Sequence, residues 1–546
     1  MSYYAAFLIS TFIALGLTPV LMRNAAAIGV MDEPNERKVH SSSIPRIGGV
    51  AMVLATIVPL LIWLPFEARY IAICSAIMVI FLFGFWDDRR ELSYKIKFAG
   101  QILASVIVVI GGGLFIRELP FGDDFSLSAP FLYGITIFFL VGITNAMNMT
   151  DGLDGLAGGA TLLSFGLIAV LSIQSDAPNV LLITAAVVGG VLGFLRFNSH
   201  PAIVFMGDTG SQFLGFILGL ESIMLTQYAD PTLSKSLPLL ILGLPLFDTL
   251  IVMLLRIKQG HSPFHADKNH LHHRLLDLGL SHFQAVVALY LMQSAFMISA
   301  YFLAYSHDLL PLFTFIGYGV FIIMFLWFFE NTKMKLSSWE SIVWLKGFTF
   351  TVKKSVPSAI LSANEVPALM FSIFILGALV KPDVIQRLTP DVMVLIALIF
   401  VGSICTFFAH PGDAYYRIIF ATFSALLVYL GIPVESYPPV SLHEVFDVGV
   451  VTALVFWLVL NIYNGEVGDI KASPFDILII LLLLVMPVIS GVGGEVRLYS
   501  FALVKFIVLL YTFEILISKK VLQFRHTYQY FLSACAVALG VRYLYI

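Results

Sequence analysis

The sequence predicts an all-α integral membrane protein that crosses the bilayer many times. Hydrophobic residues make up 59% of the 546-residue chain and charged residues only 12%, whereas soluble domains are about 25% charged. Uncharged apolar runs such as residues 3–22, 98–116 and 285–306 are long enough to span a bilayer as helices, which takes about 20 residues. Over the whole chain, this criterion predicts about 18 transmembrane helices.

Composition argues against several other classes of protein. The net charge of −3 gives no reason to expect a nucleic-acid partner. The three cysteines lie in apolar runs without metal-ligand spacing, so we expect neither a disulfide framework nor a cysteine-bound metal. No basic residue precedes the first apolar run and Arg23 follows it, which favours a membrane span over a cleaved signal peptide.

The distribution of basic residues predicts the sidedness of the loops. If the N-terminus lies outside, the five inner loops before residue 283 hold thirteen Lys and Arg residues and the five outer loops hold three. Loops rich in Lys and Arg stay in the cytoplasm. All five motifs described below fall on that side, so we expect a cytoplasmic active site in a multi-pass protein of the bacterial inner (plasma) membrane.

Two basic residues stand out in the first inner loop. Lys38 and Arg46 can bind phosphate. Gly48 and Gly49, directly after them, allow close approach to the backbone. The alternative is that positive charge in this loop only fixes the topology.

The second inner loop opens with two adjacent carboxylates at the end of a predicted span. Asp87 and Asp88 repel each other unless a cation neutralises them. Arg89 and Arg90 offer one solution, a surface ion-pair cluster. The functional interpretation is a general base, or a contact with a substrate phosphate or a metal.

Three oxygen-bearing residues recur at a spacing of three in the third inner loop. If the segment is helical, Asn148, Asp151 and Asp154 lie on one face. Such ligands at the end of a span suit Mg²⁺, which in turn suggests a phosphate substrate. A helix N-cap would explain only one of the acids.

The fourth and fifth inner loops carry an acid, an aromatic ring and a histidine cluster. Asp208 is either a helix N-cap or a ligand, and Phe205 either packs in the core or stacks on a nucleotide base. Residues 265–274, the His-rich loop, hold four of the twelve histidines together with Lys268 and Arg274. A zinc site lacks the usual ligand spacing, whereas a pyrophosphate held between Mg²⁺ and basic side chains fits this composition.

Two carboxylates inside apolar runs keep a different function open. Glu221 and Asp248 could serve a cation- or proton-coupled transporter, because acids within spans are functional by default. Asp248 could equally be a buried structural acceptor. The remaining acids gather on one face of the membrane, and no repeat relates the two halves of the chain, so the enzyme is favoured over the transporter.

The last two-fifths of the chain are predicted to form a separate part. Residues 331–363 are polar and rich in lysine, as expected for a cytoplasmic linker. Residues 364–546 contain about seven more apolar runs. They predict an additional membrane domain whose role the sequence leaves open.

Taken together and in order, the five motifs resemble those of the polyprenyl-phosphate N-acetylhexosamine-1-phosphate transferases. The resemblance covers approximately residues 1–330, which we take as the transferase domain. The peptidoglycan branch of that family carries three consecutive histidines where this chain has only His272-His273. This difference favours UDP-GlcNAc or a close relative as donor, in the branch that begins teichoic-acid, enterobacterial-common-antigen or O-antigen (lipopolysaccharide) synthesis. The matching pieces are Arg37-Lys-Val-His40 with Pro45-Arg-Ile-Gly-Gly49, Gly84-Phe-Trp-Asp-Asp-Arg89, residues 145–155, Phe205-Met-Gly-Asp-Thr-Gly-Ser211 and the His-rich loop.

The resemblance also implies roles for individual residues. Asn148 and Asp208 would hold Mg²⁺, or Mn²⁺, on the donor pyrophosphate. Asp154 would face the uracil and Phe205 would stack on it. The implied catalytic residues are Asp87, Asp88, Asp151, His270, His272 and His273, and the further substrate-binding residues are Lys38, Arg46, Lys268 and Arg274.

The expected reaction transfers N-acetylhexosamine 1-phosphate, with GlcNAc-1-phosphate as the expected group, from a UDP-sugar to undecaprenyl phosphate and releases UMP. The lipid phosphate attacks either directly or through an aspartyl-phosphate on Asp87 or Asp88. A homodimer is compatible with the sequence but is not specified by it.

Overall fold

A computed structural model describes residues 2–33, 43–120, 127–260, 262 and 269–332. Lys38, Lys268, residues 364–546 and almost all of the predicted linker 331–363 lie outside these ranges. The described residues are mostly helical, as predicted. The helices are α1 (Ser2–Ile28), α2 (Gly48–Trp63), α3 (Ala68–Arg90), α4 (Tyr94–Val106), α5 (Ala129–Thr150), α6 (Leu156–Gln174), α7 (Pro178–Asn198), α8 (Gly207–Met224), α9 (Leu237–Ile241), α10 (Gly243–Lys258), α11 (Leu271–Asp277), α12 (His282–Phe302) and α13 (Leu309–Thr332).

The prediction of a polytopic helical membrane protein is confirmed. Eight helices among the described residues are long and apolar enough to cross a bilayer. The total of about 18 spans and the cytoplasmic position of the site stay predictions. One element was not predicted: strands β1 (Met31–Asp32) and β2 (Ile44–Pro45) form a short antiparallel ribbon across the first loop.

Helix α8 lies at the centre of the bundle. It packs against α2, α3 and α5, and every residue from Thr209 to Met224 is buried. A side chain at Gly49 of α2 would come within 2.2 Å of the backbone nitrogen of Gly210. Because only glycine allows this approach, the two helices meet backbone to backbone, as small residues permit between membrane helices. Asp208 therefore stands at the tip of a helix that is buried along almost its whole length.

Candidate active site

Asp88 caps the N-terminus of α8. Its carboxylate accepts hydrogen bonds from the backbone N–H of Asp208 (2.7 Å) and of Thr209 (3.0 Å) and from the Thr209 hydroxyl (2.5 Å). The first N–H groups of a helix have no partner within that helix, so a buried end needs such acceptors. Asp88 thereby attaches the last turn of α3 to the first turn of α8.

Asp87 points away from this cap and shares a cation with Asp208. The Lys97 ammonium lies 2.5 Å from Asp87 Oδ2 and 2.8 Å from Asp208 Oδ2, and Asp87 Oδ1 accepts the Leu92 N–H at 2.5 Å. The two adjacent carboxylates therefore contact different elements. Asp88 holds the backbone of α8, whereas Asp87 joins an ion-pair group beside it.

Lys97 is a site residue that the sequence analysis missed. It lies on α4, ten residues after Asp87, and reads in the sequence as one of several basic residues of a cytoplasmic loop. The sequence feature that could have revealed Lys97 is the short connection between α3 and α4. Two spans joined by three residues must pack as an antiparallel pair, and this arrangement returns Lys97 to the level of Asp87.

The prediction that Asn148, Asp151 and Asp154 share one helix face is wrong. Helix α5 ends at Thr150, and Asp151 has the non-helical angles φ −76° and ψ 63°. Residues 151–155 form a loop before α6, closed by Gly155 at φ 78°. Glycine is the residue that favours such a turn. The three side chains therefore leave the chain in different directions.

Each member of this trio has its own surroundings. Asn148 Oδ1 accepts the Ser211 hydroxyl of α8 at 2.8 Å. Asp154 Oδ2 lies 2.7 Å from His200 Nδ1 and accepts the Ala202 N–H at 3.1 Å. Asn148 thus faces α8, and Asp154 faces the segment between α7 and α8.

Asp151 lies in an acidic environment. Burial raises the pKa of its carboxyl to about 7, assisted by the negative charges of Asp208 and Asp154 and opposed by the positive charge of Arg46. Asp208, Asp154 and Arg46 are therefore each within electrostatic reach of Asp151. We call Asp87, Asp151 and Asp208 the acidic cluster.

The β-ribbon positions Arg46 beside this cluster. Arg46 pairs with Asp32 across the ribbon, and its backbone N–H donates to Val30 at 2.9 Å. Phe205 is attached to the same segment through its backbone, since its N–H donates to Pro45 at 2.8 Å and its carbonyl accepts from Gly48 at 3.0 Å. The first and fourth motifs therefore form one surface, on which the Phe205 ring is partly exposed.

Asp248 orients the His-rich loop. Its Oδ2 lies 2.9 Å from His270 Nδ1, and its Oδ1 accepts the Leu271 N–H at 2.7 Å. It therefore holds the first turn of α11 and fixes the plane of one imidazole. These contacts fit the interpretation of Asp248 as a buried structural acceptor.

His272 packs against the 151–155 loop. A side chain at Gly152 would lie 2.3 Å from His272 Nε2, so the absence of a side chain there lets the third and fifth motifs touch. Burial lowers the pKa of His272 to about 4, and the neighbouring His273 and His270 act in the same direction. His272 is therefore neutral at neutral pH. The His273 ring lies 4.2 Å from it, centroid to centroid.

Arg274 binds a side chain outside the motifs. Its Nε and Nη2 donate to the two carboxylate oxygens of Glu330 at 2.8 and 2.9 Å. This bidentate pair joins α11 to the last turn of α13. The structure thus brings described residues of all five motifs into contact and pairs Arg274 with Glu330.

A chain of amides continues from the acidic cluster into the bundle. Gln212 Nε2 lies 3.4 Å from Asp208 Oδ2, and Gln101 Nε2 donates to Gln212 at 3.1 Å. Asn145 in turn donates to Gln101 at 2.6 Å. Amide groups can reverse donor and acceptor roles across such a chain, so it can adjust to changes in charge at Asp208.

Among the described residues, the three carboxylates of the acidic cluster lie near two cations, Lys97 and Arg46. Arg46 is already paired with Asp32. The excess of negative charge, on oxygen ligands, can bind a hard divalent cation. The imidazoles and basic groups of neighbouring loops can bind the anion that such a cation carries.

Comparison with known proteins gives consistent results. The glycosyl transferase family 4 model matches residues 70–226. A probable undecaprenyl-phosphate N-acetylglucosaminyl 1-phosphate transferase of Bacillus subtilis is 38% identical over 297 residues, which are 54% of this chain and 83% of that protein. The decaprenyl-phosphate N-acetylglucosaminephosphotransferase of Mycolicibacterium smegmatis is 37% identical over 52% of this chain and 77% of its own length. The Yersinia pestis undecaprenyl-phosphate alpha-N-acetylglucosaminyl 1-phosphate transferase is 33% identical over 49% and 75%.

Proposed function

This chain belongs to the family of polyprenyl-phosphate N-acetylhexosamine-1-phosphate transferases, and we propose that it transfers N-acetylglucosamine 1-phosphate from UDP-GlcNAc to undecaprenyl phosphate and releases UMP. The observation that carries this proposal is the position of Asp208. It lies at the tip of α8, a helix buried among the others of the bundle, beside Asp87 and Lys97. A lipid phosphate and a water-soluble nucleotide can meet only at the membrane surface, and the proposal assigns the tip of α8 to that surface.

The acidic cluster fits a magnesium ion. Its donors are carboxylate oxygens, and the Lys97 ammonium between Asp87 and Asp208 supports the proposal that positive charge is favourable there. Asp208 and Asn148 would hold the metal, with Asp151 adjacent. When bound, Mg²⁺ neutralises the donor pyrophosphate and makes UMP a better leaving group.

The protein side chains position the two substrates. Asp87 faces the lipid phosphate, which attacks the β-phosphorus of the donor directly. Lys97 holds Asp87 in place and attracts the incoming phosphate. Asp88 acts through α8, because both of its oxygens already bind the first turn of that helix. Trapping a phospho-enzyme with donor alone would replace direct attack with a two-step route through Asp87.

The His-rich loop binds the donor pyrophosphate in this scheme. His270 can turn its Nε2 toward a phosphate while Asp248 holds its Nδ1. His272 is held neutral by burial and acts as a hydrogen-bonding group. Phe205 stacks on the uracil. Lys38 and Lys268, outside the described residues, are proposed to contribute further positive charge.

This site is proposed to lie on the cytoplasmic face of the bacterial inner membrane. The reaction would be the first membrane step in the synthesis of a cell-surface glycan. We also propose that residues 1–330 form the transferase domain and that residues 364–546 are dispensable for chemistry. A chain ending at Ser338 should then retain transfer once it is shown to be monodisperse in detergent. A well-folded truncated protein that binds the donor but is inactive would assign part of the lipid site to the C-terminal residues.

The central experiment supplies purified protein with undecaprenyl phosphate, Mg²⁺ and single UDP-sugars, and identifies the lipid product by mass. UDP-GlcNAc should yield the GlcNAc-pyrophosphate lipid, and EDTA should abolish its formation. A matched control is Glu67→Gln, because Glu67 is exposed at the opposite end of α3 from Asp87. Product formed from UDP-MurNAc-pentapeptide instead, or full activity in EDTA, would contradict the proposal.

A further inference from the structure

A second cluster of ligand side chains lies outside the acidic cluster. Asp154, His200 and His282 come from the 151–155 loop, the α7–α8 connection and the start of α12. Their ligand atoms all lie within 4.8 Å of one another. Neither histidine belongs to the five motifs, and the scheme above uses neither of them. We propose that these three residues form a binding site for a borderline divalent cation such as Zn²⁺ or Co²⁺.

The separations between the ligand atoms suit a small tetrahedral ion. Asp154 Oδ2 lies 2.7 Å from His200 Nδ1 and 4.0 Å from His282 Nε2. Zinc bonds of about 2.0–2.2 Å place neighbouring tetrahedral ligands about 3.3 Å apart. The two observed separations lie on either side of that value. The His200 and His282 rings are stacked, with centroids 4.1 Å apart and planes 21° from parallel. Because imidazole binds a metal in the plane of its ring, one of the two rings would have to rotate to complete the coordination.

The hydrogen-bonding state of His282 leaves Nε2 unprotonated. The Asp154 backbone N–H donates to His282 Nε2 at 3.2 Å, and an ion bound at Nε2 would replace that hydrogen bond. Neutral imidazole nitrogen is the form that binds metal. His282 Nδ1 then carries the proton, and it is buried without a hydrogen-bond partner among the described residues.

The backbone around the cluster is already held in place. Asn198 accepts the Gly155 N–H at 2.9 Å and donates to the Val204 carbonyl at 2.9 Å. Tyr290 of α12 donates to the Gly155 carbonyl at 2.7 Å. These bonds join the three segments that supply the ligands, so an entering ion would not need to order them. Preorganisation of this kind lowers the cost of binding.

The donor set distinguishes this site from the magnesium site. Two imidazoles and one carboxylate favour Zn²⁺, Co²⁺ or Ni²⁺, whereas Mg²⁺ prefers oxygen ligands in an octahedral arrangement. Three protein ligands leave a fourth position for water. The His200 side chain is 44% exposed, so an ion can enter from solvent without rearrangement of the bundle.

The experiment uses the full-length protein, purified in the presence of a chelator and then transferred to excess Mg²⁺. Co²⁺ is titrated in, and its visible absorption reports coordination by nitrogen and oxygen ligands. One Co²⁺ per chain should bind, and Zn²⁺ should displace it and raise the midpoint of thermal unfolding. His200→Gln and Asp154→Asn should each weaken Co²⁺ binding at least tenfold. His200 is partly exposed, so its replacement leaves the core intact.

Two controls separate this cluster from other histidines. His307→Gln removes an exposed histidine elsewhere and should leave Co²⁺ binding unchanged. His272→Gln alters the His-rich loop and should also leave it unchanged. The proposal is overturned if no Co²⁺ band develops, if the band persists in full in His200→Gln, or if it disappears in His272→Gln. Donor and lipid are absent throughout, so the outcome does not depend on the proposed transferase reaction.

Discussion

The two ends of α8 both carry polar side chains, but they satisfy them in opposite ways. Just beyond the C-terminal end, in the π-helical turn Leu225–Ala229, Gln227 Oε1 accepts the backbone N–H groups of Arg117 and Glu118, each at 3.0 Å. The Tyr228 hydroxyl accepts the Phe115 N–H at 2.8 Å. Neutral side chains there complete the hydrogen bonds of a connecting segment. At the N-terminal end, carboxylates gather around Lys97 instead.

This difference separates a structural polar cluster from one that is suited to a ligand. Neutral side chains bonded to backbone are fully satisfied within the protein, as buried polar groups generally are. Carboxylates close together repel one another and gain from an added cation. Substitutions at the N-terminal end should therefore lower kcat, whereas substitutions at the C-terminal end should lower thermal stability.

The largest effect is expected at Asp208. Asp208→Asn should reduce kcat about 1,000-fold, because the side chain loses its charge at the proposed metal. Thermal unfolding should change little, since the Asp88 cap binds the Asp208 backbone rather than its side chain. Steady-state kinetics together with a melting curve test both parts.

The matched change at the other end of α8 is Gln227→Leu. It leaves the N–H groups of Arg117 and Glu118 without their acceptor, which costs about 1–3 kcal/mol. We expect a lower midpoint of thermal unfolding with kcat per folded molecule unchanged. A Gln227→Leu protein that is stable but inactive would remove the distinction between the two ends.

Lys97 tests whether the cation between Asp87 and Asp208 is needed for turnover. Lys97→Met should reduce kcat about 100-fold and steepen the dependence on Mg²⁺, because two carboxylates lose their shared partner. Lys97→Arg keeps the charge and should recover part of the activity. Equal activity of the Met and Arg variants would show that the charge is unimportant.

A smaller effect is expected at Asp248, which acts through His270. Asp248→Asn weakens the contact with His270 Nδ1 and should raise the KM for the UDP-sugar about tenfold, corresponding to roughly 1.4 kcal/mol. The value of kcat should change less. A fall in kcat without a change in KM would place the effect on the chemical step instead.

The smallest effect is expected at Phe205. Phe205→Ala should raise the KM for the donor about five- to tenfold, in the range of one lost base-stacking contact. Phe205→Tyr and Phe205→Trp retain an aromatic face and should be closer to the unaltered protein. Competition by free UMP in each variant would confirm that the nucleotide is the part affected.

Membrane class and the convergence of the motifs were predictable from the sequence for clear physical reasons. Uncharged runs specify spans directly, and loops on one side of a bilayer must meet at one surface. The helix predicted through Asp154 failed because a spacing of three says nothing about where a helix stops. The turn at Gly155, with φ 78°, ends that periodicity.

The residues that the sequence analysis missed share a different cause. Lys97 resembles the basic residues that only fix topology, and His200 and His282 are isolated in the sequence. Their importance comes from packing between segments that are far apart in the chain, such as the 2.7 Å contact of His200 with Asp154. One sequence without relatives contains no signal for such long-range pairs.

The ion pair between Arg274 and Glu330 has a mechanical consequence. Glu330 lies two residues before the end of α13 at Thr332, and beyond that helix the chain continues into its remaining two-fifths. An axial displacement of α13 would pull on Arg274 and thus on α11, which carries His272 and His273. The pair therefore couples the position of α11, and of its histidines, to that of α13. Because the Glu330 side chain is 41% exposed, this coupling should weaken as ionic strength rises.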